Sequence, residues 1–387
     1  MDLSYIINQL GEDREQYFNA IAPPIMQSSN FAFKSVGEMR ELLQDEYKGF
    51  LYTRGNNPTI EILRKKLAAL DGAEDALIFG SGAAAIFATV LSQVKQGDHI
   101  VSVRDPYNWA GQLFTQILPR FGVETTFVDG TDTANFRNAI KPNTRVIYLE
   151  SPNSFTFELQ DIAAVAALAK EKEIVSIIDN SYCTPIFQRP HDLGIDLCLQ
   201  SATKFISGHS DTMAGVLTGR QEVIRKIFAS ELLNIGSGIA PFNAWLLLRG
   251  LRTLEIRLER SACSTEKICA WLKEQPGIEK IFFPMDAGFP QYELAKKQMS
   301  GAAGLLTIQL KASRREQVEA FCNGLQRFLM AVSWGGHESL AFPACASLAE
   351  SEFDPTLEKH RMVRLYIGLE DPDTLIADLE QALQLIR

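Results

Sequence analysis

The chain has 387 residues, 46% of them hydrophobic, 22% charged and 9% aromatic, which is enough material for two or three domains around a sizeable core. With 38 Lys plus Arg against 47 Asp plus Glu, the formal net charge is −9; no long-range basic field draws in a phosphate backbone, and nucleic acid is not an expected partner. The apolar stretch 83–91 stops at Ser92, about half the length a bilayer span needs, and residues 1–10 lack a cationic start before an apolar run. The expectation is a cytoplasmic protein with neither membrane span nor export signal.

Residues 1–55 hold no long periodic run and include Pro23-Pro24, so they are expected to form an extended arm laid on something else. From Ile60 the pattern alternates. The spacing predicts a helix over 63–70, a strand over 76–79, a helix over 83–94, a strand over 99–103 and a helix over 113–121. Strands over 124–129 and 146–149 follow, then a helix over 162–171, a strand over 174–179 and a short strand over 196–199. Apolar strands alternating with amphipathic helices predict a mainly parallel sheet covered on both faces. Gly236-Ser237-Gly238 and Pro241 precede a long helical pattern over 242–271 that joins a smaller α/β domain, with strands over 305–310 and 362–367 and helices over 315–325 and 374–386. The division so read is an arm over 1–55, a main domain over 56–240 and a C-terminal domain over 241–387.

The six cysteines lie scattered with no C-x-x-C pair, and the five histidines form no helical ligand pattern. Reduced thiols and no metal site are expected.

In an open α/β sheet, ligands bind beyond the carboxyl ends of the strands, so the residues just after each strand carry the chemistry. After 76–79 comes Gly80-Ser81-Gly82-Ala83, opening a helix whose free N–H groups suit a phosphate. After 99–103 comes Tyr107, an aromatic face. The strand over 174–179 ends in Asp179, and Ser201-Ala202-Thr203-Lys204 follows the strand over 196–199. Taken singly, these are a tight turn, a packing ring, a cap and a solvated lysine. Together they make the set that pyridoxal phosphate requires: an amine for a Schiff base, phosphate anchors, a stacking ring and a partner for the pyridinium nitrogen.

These residues stand among others in an order that resembles one family. Tyr52-Thr53-Arg54 with Asn57-Pro58-Thr59, Ser81-Gly82, Tyr107, Asp179-Asn180 and Ser201-Ala202-Thr203-Lys204 come first. Gly250-Leu251-Arg252-Thr253-Leu254, Glu338-Ser339-Leu340, and Arg364 before Ile367-Gly368-Leu369-Glu370 complete the series. The chain is similar to the Cys/Met-metabolism enzymes that use pyridoxal phosphate, the group of cystathionine γ-synthase, cystathionine β-lyase, cystathionine γ-lyase and methionine γ-lyase. The resemblance implies the aspartate-aminotransferase-like fold of type I, with a mainly parallel central sheet and a smaller C-terminal α/β domain, and pyridoxal 5'-phosphate as cofactor. It implies that Lys204 holds the cofactor and shuttles protons at the substrate Cα, and that Asp179 pairs with the ring nitrogen. Tyr107 would stack on the ring and take a proton, while Gly82, Ala83, Ser201 and Thr203 hold the phosphate. Tyr52 and Arg54 would reach the phosphate of a neighbouring subunit in a homo-oligomer, commonly a tetramer. Arg364, assisted by Ser333, would clamp the α-carboxylate of a small sulfur amino acid.

Within the family, Ser333-Trp334-Gly335-Gly336 resembles the bacterial β-lyase pattern, as does Glu150-Ser151-Pro152-Asn153-Ser154, with Ser154 where γ-enzymes have Asn. Val332 stands where γ-enzymes acting on cystathionine carry Glu, and Asn108-Trp109-Ala110 where methionine γ-lyases carry Cys. The expectation is α,β-elimination of L-cystathionine to homocysteine, pyruvate and ammonia, with Trp334, Trp109 and Phe155 at the entrance. The stretch 52–59 instead resembles the γ-synthase arm, so γ-synthase and the γ-lyases stay as alternatives.

Overall fold

In the computed structural model, which describes residues 1–386, the apolar strands of the first half join one seven-stranded sheet. The strands are β1 Asp75–Phe79, β2 His99–Val103, β3 Glu124–Val128, β4 Thr144–Glu150, β5 Val175–Asp179, β6 Leu197–Gln200 and β7 Gly215–Gly219, in the order β1-β7-β6-β5-β4-β2-β3. β2 to β6 run parallel. β7 lies antiparallel between β1 and β6; five residues bounded by glycines give too short a run to read from periodicity. Helices cover both faces, so Ile100, Tyr148 and Ile177 enter one core and Val101, Ile147 and Ile178 the other. Burial on two faces is why these strands read as continuous apolar runs.

The second sheet holds β8 Ile278–Phe282, β9 Leu305–Leu310, β10 Leu329–Met330, β11 Leu340–Pro343 and β12 Met362–Tyr366, in the order β10-β11-β12-β9-β8. It is antiparallel except for β10 with β11.

Three segments differ from expectation. The helical pattern over 242–271 is two helices, Pro241–Leu251 and Leu254–Lys273. Arg257 makes the break tolerable, because its guanidinium donates to the carbonyls of Gly250 and Phe205, both at 2.8 Å. Gly208 has φ +68, and a Cβ there would overlap the same guanidinium, so Arg257 and Gly208 together fix the loop that carries Lys204. The pattern over 113–121 is not a regular helix: Asn108–Gln112 widens into a π-turn over Leu113–Ile117, and a 3-10 turn containing Pro119 ends at Gly122 in the left-handed region. The arm includes two short helices, Leu3–Asn8 and Val36–Gln44, the second with no buried residue. Among the described residues no helix is long and apolar enough to cross a membrane, and no cluster of His, Cys, Asp or Glu is placed to hold a metal ion.

Candidate active site

β1 leads into the helix Gly82–Leu91, whose N-cap Ser81 accepts from the Ala84 N–H at 3.1 Å. Among the described residues the N–H groups of Gly82 and Ala83 have no acceptor, and the positive end of the helix dipole adds to them. A Cβ on Gly82 would stand 3.1 Å from the Ser201 Cβ. Glycine therefore lets the helix start lie against the loop after β6, and the free N–H groups of Gly82 and Ala83 stand next to Ser201, a donor set that suits an anion. Thr203 is engaged elsewhere: its hydroxyl donates to the Ala214 carbonyl at 3.2 Å and accepts from the Ala214 N–H at 3.0 Å. That exchange fastens the lysine loop to the chain entering β7.

Lys204 Nζ donates to Ser333 Oγ, between β10 and β11 of the second sheet, at 2.7 Å and lies 5.5 Å from the centre of the Trp334 ring. Trp334 packs edge-on against Phe205. Although part of the lysine stays accessible, the surrounding protein desolvates it. That desolvation, followed by repulsion from Arg364, lowers its pKa to about 8 against the pull of Asp179. An amine tuned this way is partly unprotonated, hence nucleophilic, near neutral pH. Ser333 sits at φ +76, a sparsely populated conformation that is held here by its contacts with Lys204 and Arg364.

Asp179 and Glu150 are register partners at the ends of β5 and β4, and both are buried. Asp179 accepts from the Ser181 N–H at 2.9 Å. Glu150 accepts from the Tyr107 N–H at 2.6 Å and from the Ser154 N–H. Burial, then the neighbouring Asp179 charge, pushes Glu150 up to about 8, which favours its protonated form. Burial also raises Asp179, with Ser181 and Lys204 opposing. Two carboxyl groups this close do not both ionise easily, and the one facing the lysine takes the charge. The Tyr107 phenol is raised by burial and by both carboxylates, yet its ring is 41% exposed and offers an open face. Beneath it the fully buried Tyr148 hydroxyl has no partner among the described residues.

Arg364 on β12 sits 5.3 Å from the ring centres of both Phe155 and Phe342, and its Nη2 reaches only the Ser333 carbonyl, at 3.5 Å. Desolvation lowers its pKa to about 10, and no carboxylate among the described residues pairs with it. A guanidinium kept this way suits an incoming carboxylate.

The structure thus brings together Lys204, Asp179, Tyr107, Gly82, Ala83, Ser201, Ser333, Trp334 and Arg364, with Ser154 partly buried on the loop after β4. Tyr52 and Arg54 stack on one another at 5.5 Å, and neither side chain has a hydrogen bond or ion pair among the described residues. Trp109 is exposed, and Phe155 packs on Arg364 rather than standing free at an entrance. Glu150 and Phe342 were not singled out from the sequence. The strand-end rule finds Glu150 once β4 is taken to its last residue; Phe342 needs the β11–β12 register, which places it opposite Arg364. A donor set that suits an anion, a lowered-pKa amine, a buried carboxylate pair and an open aromatic face fit pyridoxal phosphate.

A sequence description of the Cys/Met metabolism PLP-dependent enzymes matches residues 5–384. L-methionine gamma-lyase of Treponema denticola is 39% identical over 95% of this chain and 93% of its own length. Cystathionine beta-lyase MetC of Bacillus subtilis is 36% identical over 94% and 92%. The crystal structure of metB from Corynebacterium glutamicum superposes with a TM-score of 0.91 at 32% identity, covering 100% of this chain and 99% of that one.

Proposed function

The chain belongs to the Cys/Met metabolism PLP-dependent enzymes, and from that premise we propose that it is a carbon–sulfur lyase that cleaves L-cystathionine by β-elimination, releasing homocysteine, pyruvate and ammonia. The cofactor is pyridoxal 5'-phosphate, which when bound supplies a conjugated ring able to accept the electron pair left at Cα.

The chain's own groups do the rest. In this reading the Lys204 amine anchors the cofactor and then takes the proton from Cα. Asp179 would keep the ring nitrogen protonated, Tyr107 would stack on the ring and Ser154 would stand near it, while Gly82, Ala83 and Ser201 would hold the phosphate and Thr203, bound to Ala214, would brace the loop that carries Ser201. Arg364 with Ser333 orients the α-carboxylate so that the Cα–H bond faces the lysine. Tyr52 and Arg54 complete the phosphate site of a neighbouring subunit in a homotetramer built as a dimer of dimers. That neither side chain has a hydrogen bond or ion pair among the described residues, and that Phe18, Ile21 and Val36 of the arm are exposed, supports this.

The observation that carries β-elimination is Trp334 against the lysine. The amine is held by Ser333 at 2.7 Å with the Trp334 indole 5.5 Å away, a confined setting that suits one proton transfer at Cα. γ-Elimination needs a second transfer at Cβ. Val332, exposed and without charge, provides no carboxylate for the distal amino group that a γ-enzyme holds on cystathionine. A second reading, γ-elimination of L-methionine, is favoured by the 39% identity to a methionine γ-lyase and by the apolar character of Val332 and Trp334. Product analysis separates the two. Pyruvate with homocysteine from L-cystathionine, and little turnover of L-methionine, supports the β-lyase; methanethiol with 2-oxobutyrate from L-methionine at a comparable rate replaces it with the γ-lyase.

A further inference from the structure

Arg364 stands in a corner made by two rings. Its Cζ is 5.3 Å from the centre of Phe155 and 5.3 Å from that of Phe342, and the two ring centres are 5.8 Å apart with the planes tilted by 58°. The three groups form a nearly equilateral triangle. Phe342 belongs to the second domain, directly opposite Arg364 across the β11–β12 ladder. Phe155 comes from the main domain, on the loop after β4, and packs against the hydrophobic core that the second domain shares.

The backbone at Phe155 is unusual. Its φ is +66, a conformation in which a bulky side chain is a genuine outlier. Such a residue persists where its surroundings over-determine it, typically where a side chain must be placed for a purpose. The placement here puts a ring face against a guanidinium that, among the described residues, has no carboxylate partner and one long hydrogen bond. Ring faces are negative, so they stabilise a desolvated cation without neutralising it, and the cation stays available to an anion.

We propose that Phe155 and Phe342 are positioning residues for the substrate α-carboxylate: two rings, one from each domain, hold the Arg364 guanidinium ready in the absence of an anionic partner. The inference rests on the reading of Arg364 as the carboxylate clamp. It does not depend on whether β- or γ-elimination follows, because both begin with the same bound carboxylate. The rings act through Arg364 and touch no reacting atom. Their removal therefore weakens carboxylate-bearing ligands and leaves carboxylate-free ones alone.

The test uses the cofactor-loaded enzyme and reads binding rather than turnover. L-Alanine and L-alaninamide are titrated separately, and each dissociation constant is taken from the change in the visible absorbance of the bound cofactor; their ratio measures the carboxylate's share of binding. Phe155→Leu and Phe342→Leu keep the bulk and remove the ring face, and each is expected to reduce that ratio about tenfold with the alaninamide constant unchanged. Phe155→Tyr restores the ratio. Phe155→Met supplies the same comparison if the leucine variant does not fold. Leucine and methionine variants with the wild-type ratio would overturn the proposal, as would an equal weakening of both ligands, which marks a purely structural role. Arg364→Lys separates the two levels of the argument: a ratio unchanged there removes the clamp itself, whereas a ratio lost there and kept in the Phe variants removes only the role of the rings.

Discussion

The chain encloses charge in two places, and it treats them in opposite ways. At the root of the arm, Lys66 and Glu12 are sealed, with side chains 1% and 0% exposed, and pair at 3.1 Å. Lys66 also donates to the carbonyls of Ile6 and Ile7, and Glu12 also accepts from Arg252 at 3.0 Å and Arg14 at 2.8 Å. Between the two sheets, Lys204 has one hydroxyl, Arg364 one distant carbonyl and two rings, and Asp179 has a second carboxyl group as its register partner and feels Lys204 without an ion-pair contact among the described residues. The first cluster is complete, so it locks the first helix to the helix Pro58–Asp71. The second is incomplete in each member, and the free energy left unused there is available to a cofactor and a substrate. Enclosed charge marks function where its partners are missing.

Breaking each cluster in turn should expose the difference. Lys204→Ala is expected to lower elimination about 10³-fold or more, the scale of a lost positioned acid–base group, while the thermal midpoint of the cofactor-free protein holds; turnover with defined cystathionine checks the first and calorimetry the second. Glu12→Ala leaves Lys66 enclosed without its anion and is expected to cost about 3–5 kcal/mol of stability, with the substrate KM of whatever folds unchanged. Denaturant unfolding reads it, and a loss under about 1 kcal/mol would mean that the arm root is not locked by charge. Arg364→Lys removes the fork and should raise KM about tenfold or more, with a smaller change in kcat.

The pH dependence concerns the carboxyl pair. Glu150 is pushed up to about 8 from 4.5 by burial and by Asp179. Between those values the folded state holds a proton that the unfolded state has released, so its contribution to stability falls as pH rises through that window. Glu150→Gln removes the titration. The variant's stability between pH 5 and pH 8 should fall less steeply than that of the parent, by up to about 1.4 kcal/mol per pH unit. Parallel slopes would mean that Glu150 is ionised throughout.

Much of this was legible from residue order. The parallel core was readable because strands buried on both faces are apolar throughout, and strand ends bounded by Gly82, Tyr107, Asp179 and Lys204 pointed to one crevice. What stayed hidden depends on partners far apart in the chain. β7 is short and becomes a strand only between β1 and β6. The helix break at Arg252-Thr253 depends on Arg257 reaching Phe205. Thr203 reads as a phosphate ligand by its neighbours in sequence, while its hydroxyl is engaged by Ala214. Phe155 reads as an entrance residue until Arg364, more than 200 residues later, is seen against its ring.

The contrast between the two clusters reduces to a pair of unfolding free energies, measured without cofactor on Glu12→Ala and Lys204→Met. If the site keeps its charges for ligands, Lys204→Met, which replaces a desolvated ammonium by an apolar stem of similar length, will match or exceed the parent, while Glu12→Ala falls well below it. A Lys204→Met variant destabilised as much as Glu12→Ala would contradict the account, since the lysine would then be part of the scaffold.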